Sequence, residues 1–189
     1  MKVMKGFSGR PTKAGDFKTL LSRGDLRTTG NNKEVISGVK TAEDFEEVFH
    51  LIFSSRRPVA MRATDAIEKI TREHPEYLKK HEDQIVEFAK TATNKEMKWH
   101  LAQLLPRLSV SPDKMRRLFQ RLNYWASNPN ESRIVRVNSL QGMYELSLRL
   151  NDPRLNSLLQ KTISSFERQR LPSLSARARK LRRQMEKIA

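Results

Sequence analysis

Residues 97–108 read MKWHLAQLLPRL, and residues 59–70, thirty-eight positions earlier, read VAMRATDAIEKI. Thirty-eight positions further on, residues 135–146 read VRVNSLQGMYEL. Stacked, the three segments agree by column. Val59, Met97 and Val135 open them; Ala63, Leu101 and Ser139 stand four later. Ala66, Leu104 and Gly142 come next, then Ile67, Leu105 and Met143, and finally Ile70, Leu108 and Leu146. A fourth copy, shifted by thirty-nine, supplies Leu174, Ala178, Leu181 and Met185. Spacings of four, seven, eight and eleven place these side chains on one stripe of a helix, and self-similarity at a period near forty marks a helical repeat array. Small residues recur mid-stripe, as a tightly packed helix requires.

Each of these helices follows another amphipathic segment. Phe45, Val48, Phe49 and Ile52 form the first stripe, and Ile85, Phe88, Ala89 and Ala92 the second. Met115, Leu118, Phe119 and Leu122 form the third; Leu155, Leu158, Leu159, Ile163 and Phe166 form the fourth. Boundary signals agree. Thr41 precedes AEDFEEV, whose acids suit a helix N-terminus, and Ser111, Pro112 and Asp113 open another helix. The segments ASNPNES (126–132), NDP (151–153) and RLPS (170–173) punctuate the pattern. The expected fold is all-α, a right-handed α-α superhelix of about four helix pairs at roughly 42–73, 82–109, 112–149 and 153–188. Pro106 interrupts the second copy, so a kink or an early last turn is expected there.

The pattern V-R-x-x-A-x-x-A-L-x-x-L on the second helix of each pair resembles HEAT repeats. It is carried by Val59, Ala63, Ala66, Ile67 and Ile70, by Met97, Lys98, Leu101, Leu104, Leu105 and Leu108, and by Val135, Arg136, Ser139, Gly142, Met143 and Leu146. Its basic second column is kept at Lys98 and Arg136, whereas Ala60 and Ser175 depart from it. The stretch HPEYLKKHEDQIVEFAKTATNKEMKWHLAQLLPRL also looks like small bacterial HEAT-repeat proteins without an assigned biochemical role. The resemblance implies an α-solenoid over residues 41–189 that acts as a binding surface. Residues 1–40 do not join the repeat. They hold six of the seven glycines and read as a basic N-terminal arm or cap. Residues 16–40 are expected to fold over the first repeat, where Phe45, Phe49, Leu51 and Phe53 are too many apolar groups for one helix to bury. Residues 16–26 (DFKTLLSRGDL) contain one short helix in this reading.

Charge is distributed unevenly. The chain of 189 residues carries a formal +16 from 37 basic and 21 acidic residues. Residues 1–40 hold 9 basic and 3 acidic groups, residues 41–110 hold 11 and 12, and residues 111–189 hold 17 and 6. A basic C-terminal half beside a neutral middle suggests a directed electrostatic surface, to which nucleic acid, an acidic protein or an anionic membrane would answer. Mean hydropathy is −0.68, and no apolar run reaches the roughly 18–20 residues of a membrane-spanning helix. The basic start lacks the apolar core of a secretory signal and reads as a solvated tail. Cysteine is absent, which excludes disulfides and thiolate metal sites and suits a cytoplasmic location.

The candidate binding residues follow from the repeat. Counted from the first stripe position at about 100 degrees per residue, three polar columns fall together beside the core stripe. They hold Arg62, Asp65 and Lys69; His100, Gln103 and Arg107; Asn138, Gln141 and Glu145; and Arg177, Lys180 and Gln184. In HEAT-like stacks such helices line the concave face, so these residues are expected to form a solvated polar ridge, His100 included. Trp99 belongs to an apolar column with Met61, Val137 and Ala176; it reads as packing, or as an exposed aromatic at the groove edge. A basic patch comprises Arg116, Arg117 and Arg121, with Trp99, Tyr124 and Trp125 as candidates for base stacking. The last helix carries Arg177, Arg179, Lys180, Arg182, Arg183 and Lys187 against Glu186 alone.

Nothing nominates chemistry. His74 and His81 stand beside acids, but Pro75 makes the segment a loop, and no HExxH, GxGxxG, GxxxxGK[ST] or GxSxG spacing occurs. The expectation is a scaffold with no cofactor and no metal, binding a protein through the ridge and basic half, or alternatively nucleic acid. HEAT-like alkylpurine DNA glycosylases share this architecture with a basic groove, yet no residue of theirs can be placed here. The sequence sets no oligomeric state.

Overall fold

A computed structural model describes residues 16–23, 31–169 and 171–187. It is all-α; no strand occurs among the described residues. Residues 1–15 of the expected basic arm, residues 24–30 and Ile188 lie outside the described residues. Two compact units divide between Lys69 and Ile70.

The first unit contains α1 (Asp16–Ser22), α2 (Asn32–Gly38), α3 (Ala42–His50), a 3-10 turn over Leu51–Phe53 and most of α4 (Arg57–Glu73). Thr41 caps α3 reciprocally: its hydroxyl accepts from the Asp44 amide (3.2 Å), and its own amide donates to the Asp44 carboxylate (3.0 Å). Such a capping box satisfies two otherwise orphaned donors. Phe45, Val48 and Phe49 point inward from α3 and Val59, Ala63, Ala66 and Ile67 from α4. Phe17 and Leu21 of α1 and Val35 of α2 join this core, which therefore extends N-terminal to α3. Each such aliphatic or aromatic side chain contributes about 1.5–3 kcal/mol on burial.

The second unit holds three further helix pairs. These are α5 (Glu82–Thr91) with α6 (Lys95–Leu104), α7 (Pro112–Ser127) with α8 (Arg133–Leu150), and α9 (Pro153–Arg168) with α10 (Pro172–Glu186). The first helices of the pairs pack in one layer, α5 on α7 and α7 on α9; the second helices pack in another, α6 on α8 and α8 on α10. Ser111, Ser132 and Asp152 cap α7, α8 and α9 through their side chains. Pro106 ends α6 in a 3-10 turn over Leu105–Arg107, the early last turn that its ring and missing amide dictate. The carbonyls this turn leaves over are used: Arg149 donates to the carbonyl of Pro106 and, at 2.9 Å, to that of Leu108. Before α5 the segment Pro75–Lys80 is also a 3-10 helix, and His81 behind it is buried against Gln84 (3.1 Å) rather than surface-borne like His74.

Helix α8 lies against α6, α7, α9 and α10. It comes close at Gly142, where a Cβ would stand 2.6 Å from the Ala102 carbonyl oxygen, 2.9 Å from Leu122 Cδ1 and 3.2 Å from Pro106 Cγ. Alanine is intrinsically the better helix former by about 1 kcal/mol, but the backbone carbonyl cannot yield as a side chain can. Gly142→Ala is therefore expected to destabilise the protein by roughly 1–3 kcal/mol, the usual cost of overpacking. A lowered urea midpoint at unchanged slope is the expected reading; an unchanged or raised midpoint contradicts this packing.

A candidate binding surface on the C-terminal repeats

The expected ridge separates into closed and open stretches. On α4, Arg62 is 1% exposed and Asp65 is buried, contrary to the solvated ridge expected from the sequence. The cause is the N-terminal segment. Arg62 donates to the Leu21 carbonyl (2.8 Å), while Asn32 donates to the Arg62 carbonyl (3.0 Å) and to the Asp65 carboxylate (2.6 Å). Lys69 closes on Asp65 at 2.7 Å and stays half-buried. A buried arginine keeps its charge cheaply only when its donors are satisfied, so these bonds fix α1 and α2 over this part of α4.

On α6, His100 is 2% exposed, again contrary to expectation. The Trp99 ring covers it, with ring centroids 3.6 Å apart, and Trp99 itself is half-buried. His100 occupies the ridge column nearest the core stripe, where modest crowding is enough to exclude water. Gln103 is turned back on its own helix, donating to the Trp99 carbonyl (3.3 Å), and Arg107 donates to the Thr71 hydroxyl (3.1 Å). On α8, Asn138 donates to the Ile134 carbonyl (2.8 Å) and Gln141 to Glu145 (2.8 Å). From α10, Arg177 donates to the Gln141 side-chain oxygen (2.6 Å). The polar groups of α6 and α8 are thus engaged with the protein itself, and Lys180 is the ridge member that stands exposed.

The basic residues divide in the same way. Arg136 is buried; it donates to the Ala126 carbonyl (2.9 Å) and to Gln169 (2.9 Å), and its guanidinium lies 5.0 Å over the Phe166 ring. Burial pushes its pKa below the ordinary arginine value. Lys98, thirty-eight residues earlier, pairs with Glu131, and Glu131 stands thirty-eight residues before Gln169. The basic second column of the repeat is therefore a tie from the second helix of one pair to the loop between the two helices of the next. Arg182 is held by Glu167 (2.7 Å) and Ser164 (3.0 Å), and hydrogen bonds from Arg182 keep the Glu167 carboxyl below its usual pKa. Arg116 of the expected patch bridges Asp113 (2.9 Å) and Asp152 (3.4 Å).

Other cations have no such partner. Among the described residues, Arg117 and Arg121 on α7 and Arg179, Lys180 and Arg183 on α10 form no ion pair within 4 Å. All but Arg121 are exposed, and Arg121 sits 5.9 Å from the centroid of the Tyr124 ring. Tyr124 is 58% exposed. Trp125 is 1% exposed and cannot stack a base; it stands seven residues after Leu118, on the core stripe. No group of three or more His, Asp or Glu side chains converges as a metal site among the described residues, and no described helix is long and apolar enough to cross a membrane.

The model of the HEAT repeat domain matches residues 23–185. The chain belongs to the HEAT repeat domain family. No curated protein matches the sequence. Membership of this HEAT family accounts for the paired helices and the column pattern, while the surface chemistry is this chain's own. Sequence reasoning missed the amide-bearing residues Gln120, Asn123, Asn128 and Asn130, which surround Tyr124 at the end of α7 in an open cleft of about 650 Å³. A signal was present: ASNPNES places two asparagines just beyond an aromatic pair.

Engaged and open arginines are expected to respond differently to removal. Arg136→Ala leaves the buried Ala126 carbonyl and the half-buried Gln169 side-chain oxygen without their donor and should cost about 1–3 kcal/mol. Arg117→Ala should stay within about 0.5 kcal/mol, as exposed sites do. Urea unfolding of the two variants checks this; equal losses would contradict the division.

Proposed function

We propose that this HEAT-repeat chain is a non-enzymatic, cytoplasmic binding scaffold, and that its docking surface for an anionic macromolecule is formed by open cations on α7 and α10. One observation carries the reading. Where basic side chains serve the fold they are matched, as at Lys98, Arg116, Arg136 and Arg182, whereas Arg117, Arg121, Arg179, Lys180 and Arg183 are left unmatched. A polar outer face suits the terminal helix of a repeat array, but polarity alone needs no particular sign. Residues 111–189 carry 17 basic groups against 6 acidic ones, and this excess raises the local concentration of a polyanion. The polar ridge of α6 and α8 offers less, because its amides already bond within the protein.

Binding of this kind depends steeply on salt, since each neutralised charge on the ligand releases a counterion. Heparin, titrated across a salt series, is expected to bind at micromolar or tighter concentration in low salt. Arg117→Glu/Arg121→Glu and Arg179→Glu/Lys180→Glu/Arg183→Glu should each weaken binding and flatten the log–log salt slope, with unfolding midpoints close to that of the parent. Lack of heparin binding at low salt, or full binding by both variants, would overturn the reading.

A further inference from the structure

The outward side of α7 carries more than charge. Arg117, Arg121 and Tyr124 stand at i, i+4 and i+7, in one row along the helix and about 10 Å from end to end at 1.5 Å per residue. Tyr124 exposes most of its ring, with the Arg121 guanidinium near one side. Beyond it lies the open cleft formed by Gln120, Asn123, Ser127, Asn128 and Asn130. The amides are partly pre-set. Asn123 Oδ1 accepts from Thr162 (3.2 Å) and Ser127 (3.4 Å), and Asn128 Oδ1 accepts from the Asn130 amide (3.0 Å). Their Nδ2 groups remain as donors, and the Gln120 and Asn130 side chains form no hydrogen bond with any described residue. No carboxylate lines the cleft. Arg117 and Arg121 also border a neighbouring cleft that holds Asp83 and Glu87 of α5, and these acids are engaged, Asp83 with Lys114 (2.6 Å) and Glu87 with Lys90 (2.7 Å), as are Glu131 with Lys98 and Asp113 with Arg116.

This set of groups has a chemical preference. An exposed aromatic face takes a planar ring; neutral amides read the mixed donor and acceptor edge of such a ring; unpaired guanidiniums take phosphate. An acidic protein would use the cations but leave Tyr124 and the amides idle. A sugar would commonly ask for a carboxylate acceptor, which the cleft lacks. A duplex keeps its bases stacked inside and cannot present one to Tyr124.

We propose that the outer face of α7 binds single-stranded nucleic acid, with Tyr124 as the stacking platform, Arg117 and Arg121 as phosphate contacts, and Gln120, Asn123, Asn128 and Asn130 bonding the base edge. This rests on the anionic-partner reading and names the partner's class. The strand runs along α7, a phosphate at each arginine and a base turned onto the tyrosine.

The test uses the full chain, a fluorescein-labelled ten-nucleotide RNA, a duplex of the same length, poly-glutamate and heparin, at fixed salt. The single strand is expected to bind at least tenfold tighter than the duplex or poly-glutamate. Tyr124→Ala should lose about 5- to 100-fold on the single strand, the usual range for one stacked base. Tyr124→Phe should bind as the parent does, and neither substitution should change heparin affinity or the unfolding midpoint. A Tyr124→Ala chain that binds the single strand as the parent does, or a duplex bound equally well, would overturn the stacking site while leaving the anionic-partner reading standing. Poly-glutamate bound as tightly as RNA would overturn it in favour of an acidic protein. Failure of every polyanion, heparin included, would overturn both.

Discussion

The structure of the second unit turns on the approach of α8 to α6. At Gly142 the two backbones come so near that a single Cβ would stand 2.6 Å from a carbonyl oxygen. Because α8 also meets α7, α9 and α10, its position sets where every later helix lies. A repeat array has no contact between distant parts to correct an error, and its stability is a sum of neighbouring interfaces. One small residue at the centre of the array therefore has consequences for the orientation of everything C-terminal to it. The surface on α7 and α10 inherits its geometry from this contact.

Around that packing, charged side chains act as fasteners. Arg149 takes up the carbonyls that Pro106 leaves at the end of α6, and Arg136 links the end of α7 to Gln169 and the Phe166 ring. Arg136 is buried, and a desolvated guanidinium is costly unless its donors are used, so its position is specific. In the first unit, Arg62 and Asp65 do the same for α1 and α2. Once these groups are assigned to the fold, the open cations of α7 and α10 stand apart from those that serve packing.

The helix pairs were legible because a period of thirty-eight residues repeats the apolar stripe, and local boundary residues mark where helices begin and end. Thr41, Ser111 and Pro106 act in the structure as their local chemistry requires. Burial on the ridge was less legible. Arg62 and Asp65 look solvated on a helical wheel, and only a segment thirty to forty residues away in sequence, outside the repeat, covers them. His100 differs from Asn138 in its column because Trp99 beside it supplies a large ring. Trp125 was legible in principle: seven residues after Leu118 is two turns, and the stripe extends to it. The division between fastening and open arginines could not be read, since partners such as Ala126 and Gln169 are set by the stacking of pairs. The amide collar around Tyr124 was visible as composition but not as a cleft.

Two aromatic residues now stand for two different surfaces. Trp99 marks the edge of the polar ridge, and Tyr124 marks the outer face of α7. Hydroxyl-radical footprinting of the chain with and without a bound single-stranded oligonucleotide compares them in one experiment. Loss of oxidation at Tyr124, with Trp99 and Met61 unchanged, is the result expected if the open face of α7 is where the partner docks. Protection of Trp99 with Tyr124 still fully oxidised would contradict it and return the binding surface to the ridge.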